Sequence, residues 1–472
     1  MTQVQLIGGL VGTAGKVWRQ AVLRPNVQLA LWGAGNCLVY LTLIFEQPVF
    51  PLFVTLFVLT FLVHQPHKVL SPLTVLYIYY GAWFIFAPTV ASLYIGMLEY
   101  VEYRIAFAMA YTVFSTAALA LVVGESIGLA SQRKPIELPD ISPANLSMLI
   151  ATLYVIATAA ILTIVIRSGG FQVWLDNPGD AFLNRGGTGA FVVVSHFSSL
   201  ALAAATAYIA YRGRKVSLLL CFLIWVVVTS PVHGSKLQIG LLFLIAVMPW
   251  LVSSRFWSWK LAALLLGGIV VFLGGMYMRH QNILSSVGMI LSTANYFTAL
   301  QNLAISLRDF SPDFLMTFFL PFNKIGMMFG LTDANTYFDM NHLLTDAYYP
   351  ERWGMKATEQ WPVETDLYLN FGFVLGVPLV FLFFYLHGWL YGYAQRTNSV
   401  GAWFAVVMIV VGMISHLRGS IYNHVDFYMY PYILMMFVLM SGWKLFDENR
   451  GQAALDIADH ASCAADPETP IR

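Results

Sequence analysis

The sequence predicts an all-α, polytopic membrane protein with about twelve transmembrane helices and one long, partly helical periplasmic loop. Of its 472 residues, 58% are hydrophobic and only 10% are charged. Apolar runs long enough to cross about 30 Å of hydrocarbon recur along the whole chain. Lysine and arginine collect mainly between these runs, as they do at the ends of membrane spans.

The apolar runs divide the chain into predicted units. Spans are predicted at residues 28–45, 48–64, 70–96, 104–129, 146–166, 190–211, 215–230, 237–253, 260–277, 367–390, 400–416 and 428–446. The expected units are an interfacial N-terminal segment (1–25), transmembrane helices 1–9 (26–277), a periplasmic loop (278–366), transmembrane helices 10–12 (367–446) and a cytoplasmic tail (447–472). The loop is rich in aromatic residues and methionine, so we expect it to pack and to contain short helices.

The cations indicate the orientation of these spans. Cytoplasmic loops carry an excess of lysine and arginine, and most cations fall on one side if the N-terminus is inside. The cations of that side are Lys16, Arg19, Arg24, Lys68, Arg133, Lys134, Arg212, Arg214, Lys215, Arg255, Lys260, Arg396, Lys444 and Arg450. We therefore expect both termini in the cytoplasm.

A second set of cations falls on the opposite side, where the positive-inside bias places few. This set consists of Arg167, Arg185, Lys236, Arg279, Arg308, Lys324, Arg352, Lys356 and Arg418. An anionic ligand is the simplest reason for so many cations on that side, because guanidinium and ammonium groups bind phosphate through charge-assisted hydrogen bonds.

Arg308 and Lys236 are the first candidate ligands of such an anion. Arg308 stands before Asp309 at the end of a helical stretch, where its fork can hold a phosphate or pair with the aspartate as a helix cap. Lys236 follows Gly234 and Ser235 at the start of a span, close to a helix N-terminus that favours anions. The full phosphate-loop pattern is absent, so nucleotide binding is not indicated. The alternative for Lys236 is a lysine that snorkels to the interface.

The turn after residue 416 concentrates polar groups between two spans. It contains His416, Arg418, Tyr422, Asn423, His424 and Asp426. Polar groups at membrane depth are costly and are usually functional. An interfacial aromatic belt would explain Tyr422 but not Arg418. We therefore predict catalytic or binding roles for His416, Arg418, Tyr422 and His424.

Glu364 is the preferred candidate for a general base, and His416 and His424 are the alternatives. Glu364 and Asp366 enter the tenth predicted span, where a carboxylate can cap the helix dipole or accept a proton from a hydroxyl group. Arg185 lies in a glycine-rich loop that would let the backbone approach a ligand, and Arg279 ends the ninth predicted span. Incidental loop charge and interface anchoring are their alternatives. Trp361 is an aromatic that can stack on a sugar or pack the loop.

Cysteine content and net charge exclude several protein classes. Cys37, Cys221 and Cys463 are far apart, so neither a disulfide framework nor a metal site is expected. The net charge is +1, and no feature indicates a nucleic-acid partner or a cofactor.

Several short motifs resemble those of oligosaccharide repeat-unit polymerases, the Wzy-type O-antigen polymerase family. The similarity spans roughly residues 165–430. The motifs are Gly-Ser-Lys at 234–236, RDF at 308–310, PFNK at 321–324, PVETDLYLNFG at 362–372 and Arg-Gly-Ser at 418–420. By this resemblance Lys236, Arg308, Glu364, Asn370, Gly372 and Arg418 are the functional positions. The family often carries arginine where this chain has Lys236.

The resemblance implies a glycosyltransferase of the bacterial inner membrane. It would transfer a growing glycan from undecaprenyl diphosphate to an undecaprenyl-diphosphate-linked repeat unit at the periplasmic face. A flippase would deliver the repeat unit, and a chain-length regulator is a further expected partner. Because several cations can stabilise the leaving diphosphate and no metal-binding carboxylate pair stands out, we expect metal-independent transfer.

Two alternatives remain open at the level of sequence. An O-antigen ligase would use the same donor with another acceptor, such as a lipid A core. A transporter or flippase of a lipid-linked oligosaccharide would carry charges in mid-span and paired half-helices. The predicted cations instead gather at span ends, which favours chemistry at the membrane surface.

Overall fold

The computed structural model of this chain consists of helices joined by turns and loops in the residues that it describes. It describes residues 25–66, 68–90, 100–132, 143–176, 181, 187–213, 215–233, 236–254, 258–259, 262–263, 266, 297, 299–333, 336–351 and 358–446. Within these ranges there is no β-strand beyond an isolated bridge between Ser399 and Lys444. The all-α prediction is confirmed for this part of the chain.

The helices of the described ranges are numbered here in chain order. They are α1 (Pro25–Ile44), α2 (Val49–His64), α3 (Pro72–Tyr80), α4 (Val101–Ala130), α5 (Pro143–Arg167), α6 (Gly170–Asp176), α7 (Gly189–Arg212), α8 (Val216–His233), α9 (Lys236–Val252), α10 (Ala299–Asp309), α11 (Asn323–Met328), α12 (Met340–Tyr348), α13 (Val363–Phe371), α14 (Val377–Thr397), α15 (Val400–Leu417) and α16 (Asp426–Leu439). A π-helical turn (Gly81–Phe86) prolongs α3.

Eight helical stretches of the described ranges are long and apolar enough to cross a membrane. They are Pro25–Ile44, Pro72–Val90, Val101–Ala130, Asn145–Arg167, Gly189–Arg212, Val216–His233, Val374–Thr397 and Val400–Leu417. The chain therefore has the helices of a multi-pass membrane protein. The other four predicted spans are not confirmed: α2, α16 and the helix from Gln238 to Val252 are apolar but shorter, and most of the predicted span 260–277 lies outside the described residues.

The tenth predicted span, at 367–390, is not one continuous helix. Residues 367–371 belong to α13, and the membrane-length stretch begins only at Val374. Gly372 has a φ of 59° and ends α13, with Phe373 N–H donating to Leu367 O at 2.9 Å and Gly372 N–H to Tyr368 O at 3.1 Å. These two bonds form the glycine-based cap that commonly stops a helix. The cap separates the helix that carries Glu364 from the span that follows it.

Two helices of the bundle, α4 and α14, pack with their backbones in contact. Gly124 and Gly128 of α4 face Gly388 and Gly392 of α14, and a Cβ atom on any of them would overlap backbone atoms of the other helix. Paired small residues four positions apart allow this close approach of helices in membranes. Only residues 372–376 separate α14 from α13, so this tightly packed pair connects to the helix that carries Glu364.

We expect Gly388→Ala to destabilise the protein, although alanine is the better helix former by about 1 kcal/mol. The added methyl meets the backbone of Leu121, which cannot rotate away, and overpacking of this kind costs about 1–3 kcal/mol. Thermal unfolding in detergent measures the effect. Gly240→Ala in α9 is the matched control, because nothing lies within 4 Å of the position that its methyl group would occupy, and it should leave the melting temperature equal or higher.

The chain between α10 and α13 covers one end of the bundle, called here the loop side. The α15 helix ends at this side and α16 begins there, since Asn341 Nδ2 of α12 donates to Arg418 O at 3.2 Å. At the opposite end, Val400 N–H donates to Trp443 O at 2.7 Å and closes the α15–α16 pair. The loop side therefore carries the polar turn after α15 and the start of α13.

Candidate functional site

Glu364 is a fully buried carboxyl group in the first turn of α13. Its Oε1 accepts a 2.6 Å hydrogen bond from the hydroxyl of Tyr80, and its Oε2 has no hydrogen-bond partner among the described residues. Burial raises the pKa of Glu364 to about 7, an effect that the Tyr80 hydrogen bond and its own backbone N–H only partly offset. Glu364 can therefore take up and release a proton near neutrality.

A cluster of three aromatic residues in α3 and its π-helical turn links Glu364 to Arg418. Tyr79 lies next to Tyr80 and donates from its hydroxyl to Leu417 O at 2.7 Å. Trp83 stacks on Tyr79 with ring centroids 4.7 Å apart, and the Arg418 guanidinium carbon lies 5.8 Å from the Trp83 ring centroid. Cation–π attraction favours this position of Arg418. We call Glu364, Arg418, Tyr79, Tyr80 and Trp83 the Glu–Arg site.

The backbone of the Glu–Arg site is held by one asparagine that sequence reasoning missed. Asn341 accepts a hydrogen bond from Trp361 N–H at 3.1 Å while its amide donates to Arg418 O. A neighbouring bond runs from Trp83 Nε1 to Gln360 Oε1 at 3.2 Å. These contacts fix the segment before α13 against the turn after α15. No sequence signal distinguished Asn341 from other polar residues of the loop.

Asp366 and Asn370 fasten α13 to its surroundings. Asp366 is buried and accepts from Ile421 N–H at 3.0 Å and from Asn370 Nδ2 at 2.8 Å. Burial raises the pKa of Asp366 to about 6, and these hydrogen bonds act against the rise. Asn370 is also buried, donating to Thr317 Oγ1 at 2.9 Å and accepting from Thr317 N–H at 2.7 Å. The Asn370 amide, at one of the positions that the family resemblance marks as functional, is thus engaged within the protein.

His416 is buried at the end of α15. Its Nδ1 lies 3.2 Å from Ser420 O and its Nε2 lies 3.2 Å from Asp426 Oδ1. The other oxygen of Asp426 accepts from Asn423 N–H at 2.9 Å. Because both ring nitrogens face oxygens of the same turn, His416 is placed to shape the turn that carries Arg418.

His424 belongs to a separate cluster on the loop side. Its Nδ1 lies 3.3 Å from Asp339 Oδ2, and its ring is 5.8 Å from that of His342. Asp339 caps α12 by accepting from His342 N–H at 2.9 Å, while His342 Nδ1 accepts from Phe338 N–H at 3.1 Å. Lys324 approaches from α11, with Nζ 4.8 Å from the Phe338 ring centroid.

This cluster predicts that acid weakens the loop. Burial lowers the pKa of His342 below 6.5, so protonation favours the unfolded chain as the pH falls below that value. Burial acts to raise the pKa of Asp339, but hydrogen bonding and attraction from the two histidines outweigh it and lower this pKa. Ionised Asp339 therefore stabilises the fold above pH 3.8, and this stabilisation is lost as the pH falls further. Both effects have the same sign. Between about pH 7.5 and about pH 5.5 the melting temperature of wild type should fall more than that of His342→Asn, which keeps an acceptor for Phe338 N–H. Equal losses in the two proteins would contradict the assignment.

Arg308 lies outside the Glu–Arg site, with 61% of its side chain exposed at the end of α10. Its Nε and Nη2 donate to the two oxygens of Asp309 at 2.7 and 3.0 Å, and Tyr348 donates to Asp309 at 3.0 Å. The Asp309 carboxylate raises the pKa of Arg308, and the Arg308 guanidinium holds the pKa of Asp309 down. This is the Arg–Asp pair that the sequence offered as the alternative to a phosphate ligand.

Trp361 and Tyr422 pack the loop. Trp361 is completely buried among Met340, Leu344 and Leu369, so neither face of its ring is open to a sugar. Tyr422 donates from its hydroxyl to Phe318 O and contacts the rings of Phe318 and Phe322. Both residues hold the chain before α13 and after α15 in place. Of the two roles considered for Trp361, packing of the loop is the one that agrees with its surroundings.

The remaining predicted cations lie beyond the described side chains. Lys236 is the first residue of α9, but its side chain is not among those described, and Arg185 and Arg279 lie outside the described residues. Among the described residues, no group of three or more His, Cys, Asp or Glu side chains is arranged to hold a metal ion.

No family model matches the chain, and no curated protein or solved structure matches it either. Function is therefore inferred from the residues themselves. Of the predicted site residues, Glu364 and Arg418 both contact aromatic residues of α3 and its π-helical turn, and His416 contacts Ser420 and Asp426 of the turn that carries Arg418. Tyr80 and Trp83 complete the site. Sequence reasoning missed them because aromatics near a span end are typical of any membrane interface.

Proposed function

We propose that this protein is a membrane glycosyltransferase that polymerises a glycan carried on undecaprenyl diphosphate. The proposal rests on the buried carboxyl group of Glu364, one oxygen of which has no hydrogen-bond partner among the described residues. Glu364 and the guanidinium of Arg418 contact the same cluster of aromatic residues. A base and a cation that contact the same cluster of aromatic residues suit a reaction in which a hydroxyl loses a proton while an anion departs. The motifs around both residues resemble the Wzy-type polymerases.

The proposed step transfers the glycan from its donor lipid to the acceptor repeat unit. The acceptor hydroxyl oxygen of a lipid-linked repeat unit bonds to the anomeric carbon of the donor glycan, and its proton goes to Glu364. The bond between the anomeric carbon and the diphosphate oxygen breaks, and undecaprenyl diphosphate leaves with the electron pair. Arg418 stabilises the charge that grows on this leaving group, since a positioned cation in a water-poor site acts mainly on the transition state.

The other residues act indirectly in this proposal. Asp366, Asn370 and His416 are positioning residues, because their contacts fix α13 and the turn after α15 relative to each other. Arg308 lies outside the site and engages Asp309. We place the site on the periplasmic face of the bacterial inner membrane and both termini in the cytoplasm, from the cation asymmetry of the sequence.

Reconstitution of the purified protein tests the proposal. Given only the undecaprenyl-diphosphate-linked repeat unit, in chelator and without nucleotide sugar, it should build a ladder of products, and Glu364→Gln should not. A ladder that requires a divalent cation would contradict metal-independent transfer. Single transfer onto a lipid A acceptor would favour a ligase, and substrate movement across the membrane without new bonds would favour a flippase.

A further inference from the structure

A row of phenylalanines is exposed on the loop side between α10 and α11. Phe314, Phe319 and Phe322 are 70%, 58% and 49% exposed, whereas other aromatic residues, such as Trp361, are fully buried. Soluble surfaces seldom show large contiguous apolar patches, and such patches mark a binding partner or a membrane contact. The row therefore requires an occupant.

The row runs between the points where two apolar helices begin. At one end the Phe314 ring lies 6.4 Å from that of Phe371, the last residue of α13. At the other end the Phe322 ring lies 5.4 Å from that of Phe427, in the first turn of α16. The row thus lies at the level where both apolar helices begin.

The exposed surface continues onto a membrane-length helix. Val374 and Leu375 open the candidate span Val374–Thr397 directly after Phe371, and they are 72% and 69% exposed. Side chains that face outward at the start of a membrane span face lipid. Continuity with this surface makes the same lipid the occupant of the phenylalanine row.

The backbone of the row suits a low-dielectric boundary. Asp313 N–H donates to Leu369 O at 3.1 Å, Leu315 N–H to Asn370 O at 3.0 Å, and Thr317 N–H to Asn370 Oδ1 at 2.7 Å. Irregular backbone tolerates membrane surroundings only where its polar groups find partners in the protein. The bonded amides find such partners in α13, and the exposed rings provide the apolar contact.

We propose that residues 313–322 form an interfacial collar that lies in the boundary between headgroups and acyl chains of the loop-side leaflet. Phe314, Phe319 and Phe322 contact lipid there. Because Asn370 joins the collar to α13 and Tyr422 joins it to the turn after α15, the collar sets the depth of Glu364 and Arg418 at the level of the headgroups. Ligands would enter the site sideways from that layer. This depth assignment stands without the proposed chemistry.

Site-directed fluorescence quenching tests the collar in the full-length chain. In a background with Cys37, Cys221 and Cys463 replaced by serine, Phe319→Cys and Phe314→Cys are labelled with an environment-sensitive dye and placed in bilayers of brominated phospholipid. Leu375→Cys is the lipid-facing reference, and Ala347→Cys, exposed on α12, is the control outside the collar. We expect emission at 314 and 319 to be blue-shifted and quenched about twofold or more above the level at 347, approaching that at 375.

Two results would overturn the collar. Labels at 314 and 319 that emit like the label at 347 and respond to aqueous iodide would place the row in water. Labels that are blue-shifted but insensitive to brominated lipid would show that protein covers the row, either a second copy of this chain or another partner.

Discussion

Glu364→Gln should lower the polymerisation rate by about a hundredfold or more while leaving the apparent donor affinity nearly unchanged. Glutamine has the size of glutamate and can still accept the Tyr80 hydrogen bond, but it cannot take the proton of the acceptor hydroxyl. The loss should therefore fall on kcat. Initial rates of ladder formation at several donor concentrations measure it. Glu351→Gln, the same substitution at an exposed residue of the loop, is the control and should behave as wild type.

The pH dependence of this pair separates a catalytic base from a structural acid. A base acts when ionised, so the wild-type rate should rise through pH 7 and level off above it, and the residual Glu364→Gln rate should lack this step. Stability should change in the opposite direction. A carboxyl whose pKa is raised from 4.5 to about 7 destabilises the fold once the pH exceeds 4.5, by an amount on the order of 3 kcal/mol above pH 7.

Glu364→Gln should therefore unfold at an equal or higher temperature than wild type at alkaline pH, despite its lower activity. The neutral glutamine side chain removes the cost of burying a charged carboxylate. Active sites commonly contain groups that lower the stability of the fold. If the variant polymerises normally, Glu364 is not the base. If it is inactive and also much less stable, Glu364 serves the fold, and the helix-capping alternative is the better explanation.

The sequence predicted the helices well because a long apolar run can adopt few structures other than a helix in a membrane. The stretches 104–129, 146–166 and 190–211 correspond closely to α4, α5 and α7. It failed at residues 367–373, where an apolar run continues through a helix end. Gly372 carries the signal for that end, but the signal depends on a left-handed backbone conformation that glycine permits without requiring it.

The candidate site was predicted only in part, for a physical reason. Charged residues are rare in this chain, so Glu364 and Arg418 were prominent. The groups that bring them together are Tyr79, Tyr80 and Trp83, more than 280 positions away from Glu364 along the chain. Aromatics are common here, with 34 Phe, 24 Tyr and 13 Trp residues, so type and spacing did not distinguish these three. Arg308 was equally prominent in the sequence but lies on an exposed Asp309 pair.

Arg418→Ala should reduce polymerisation by about a hundredfold or more, because removal of one positioned donor to a developing anion commonly has an effect of that size. Arg418→Lys should recover only part of the activity. Lysine keeps the charge but loses both the planar fork and the stacking that places the guanidinium over Trp83. The fold should survive either change, since Asn341 holds the turn through the Arg418 carbonyl oxygen and not through its side chain. Melting temperatures check this point.

Arg308→Ala is the matched comparison, because of these two arginines only Arg418 contacts the aromatic cluster that also holds Glu364. Arg308 is exposed and already paired with Asp309, so its removal frees one surface carboxylate and should cost far less activity than Arg418→Ala. Equal losses in the two variants would mean that the diphosphate reaches the end of α10, and the site would have to include Arg308 as a direct ligand. A normal Arg418→Ala ladder would remove the cation from the proposed mechanism altogether.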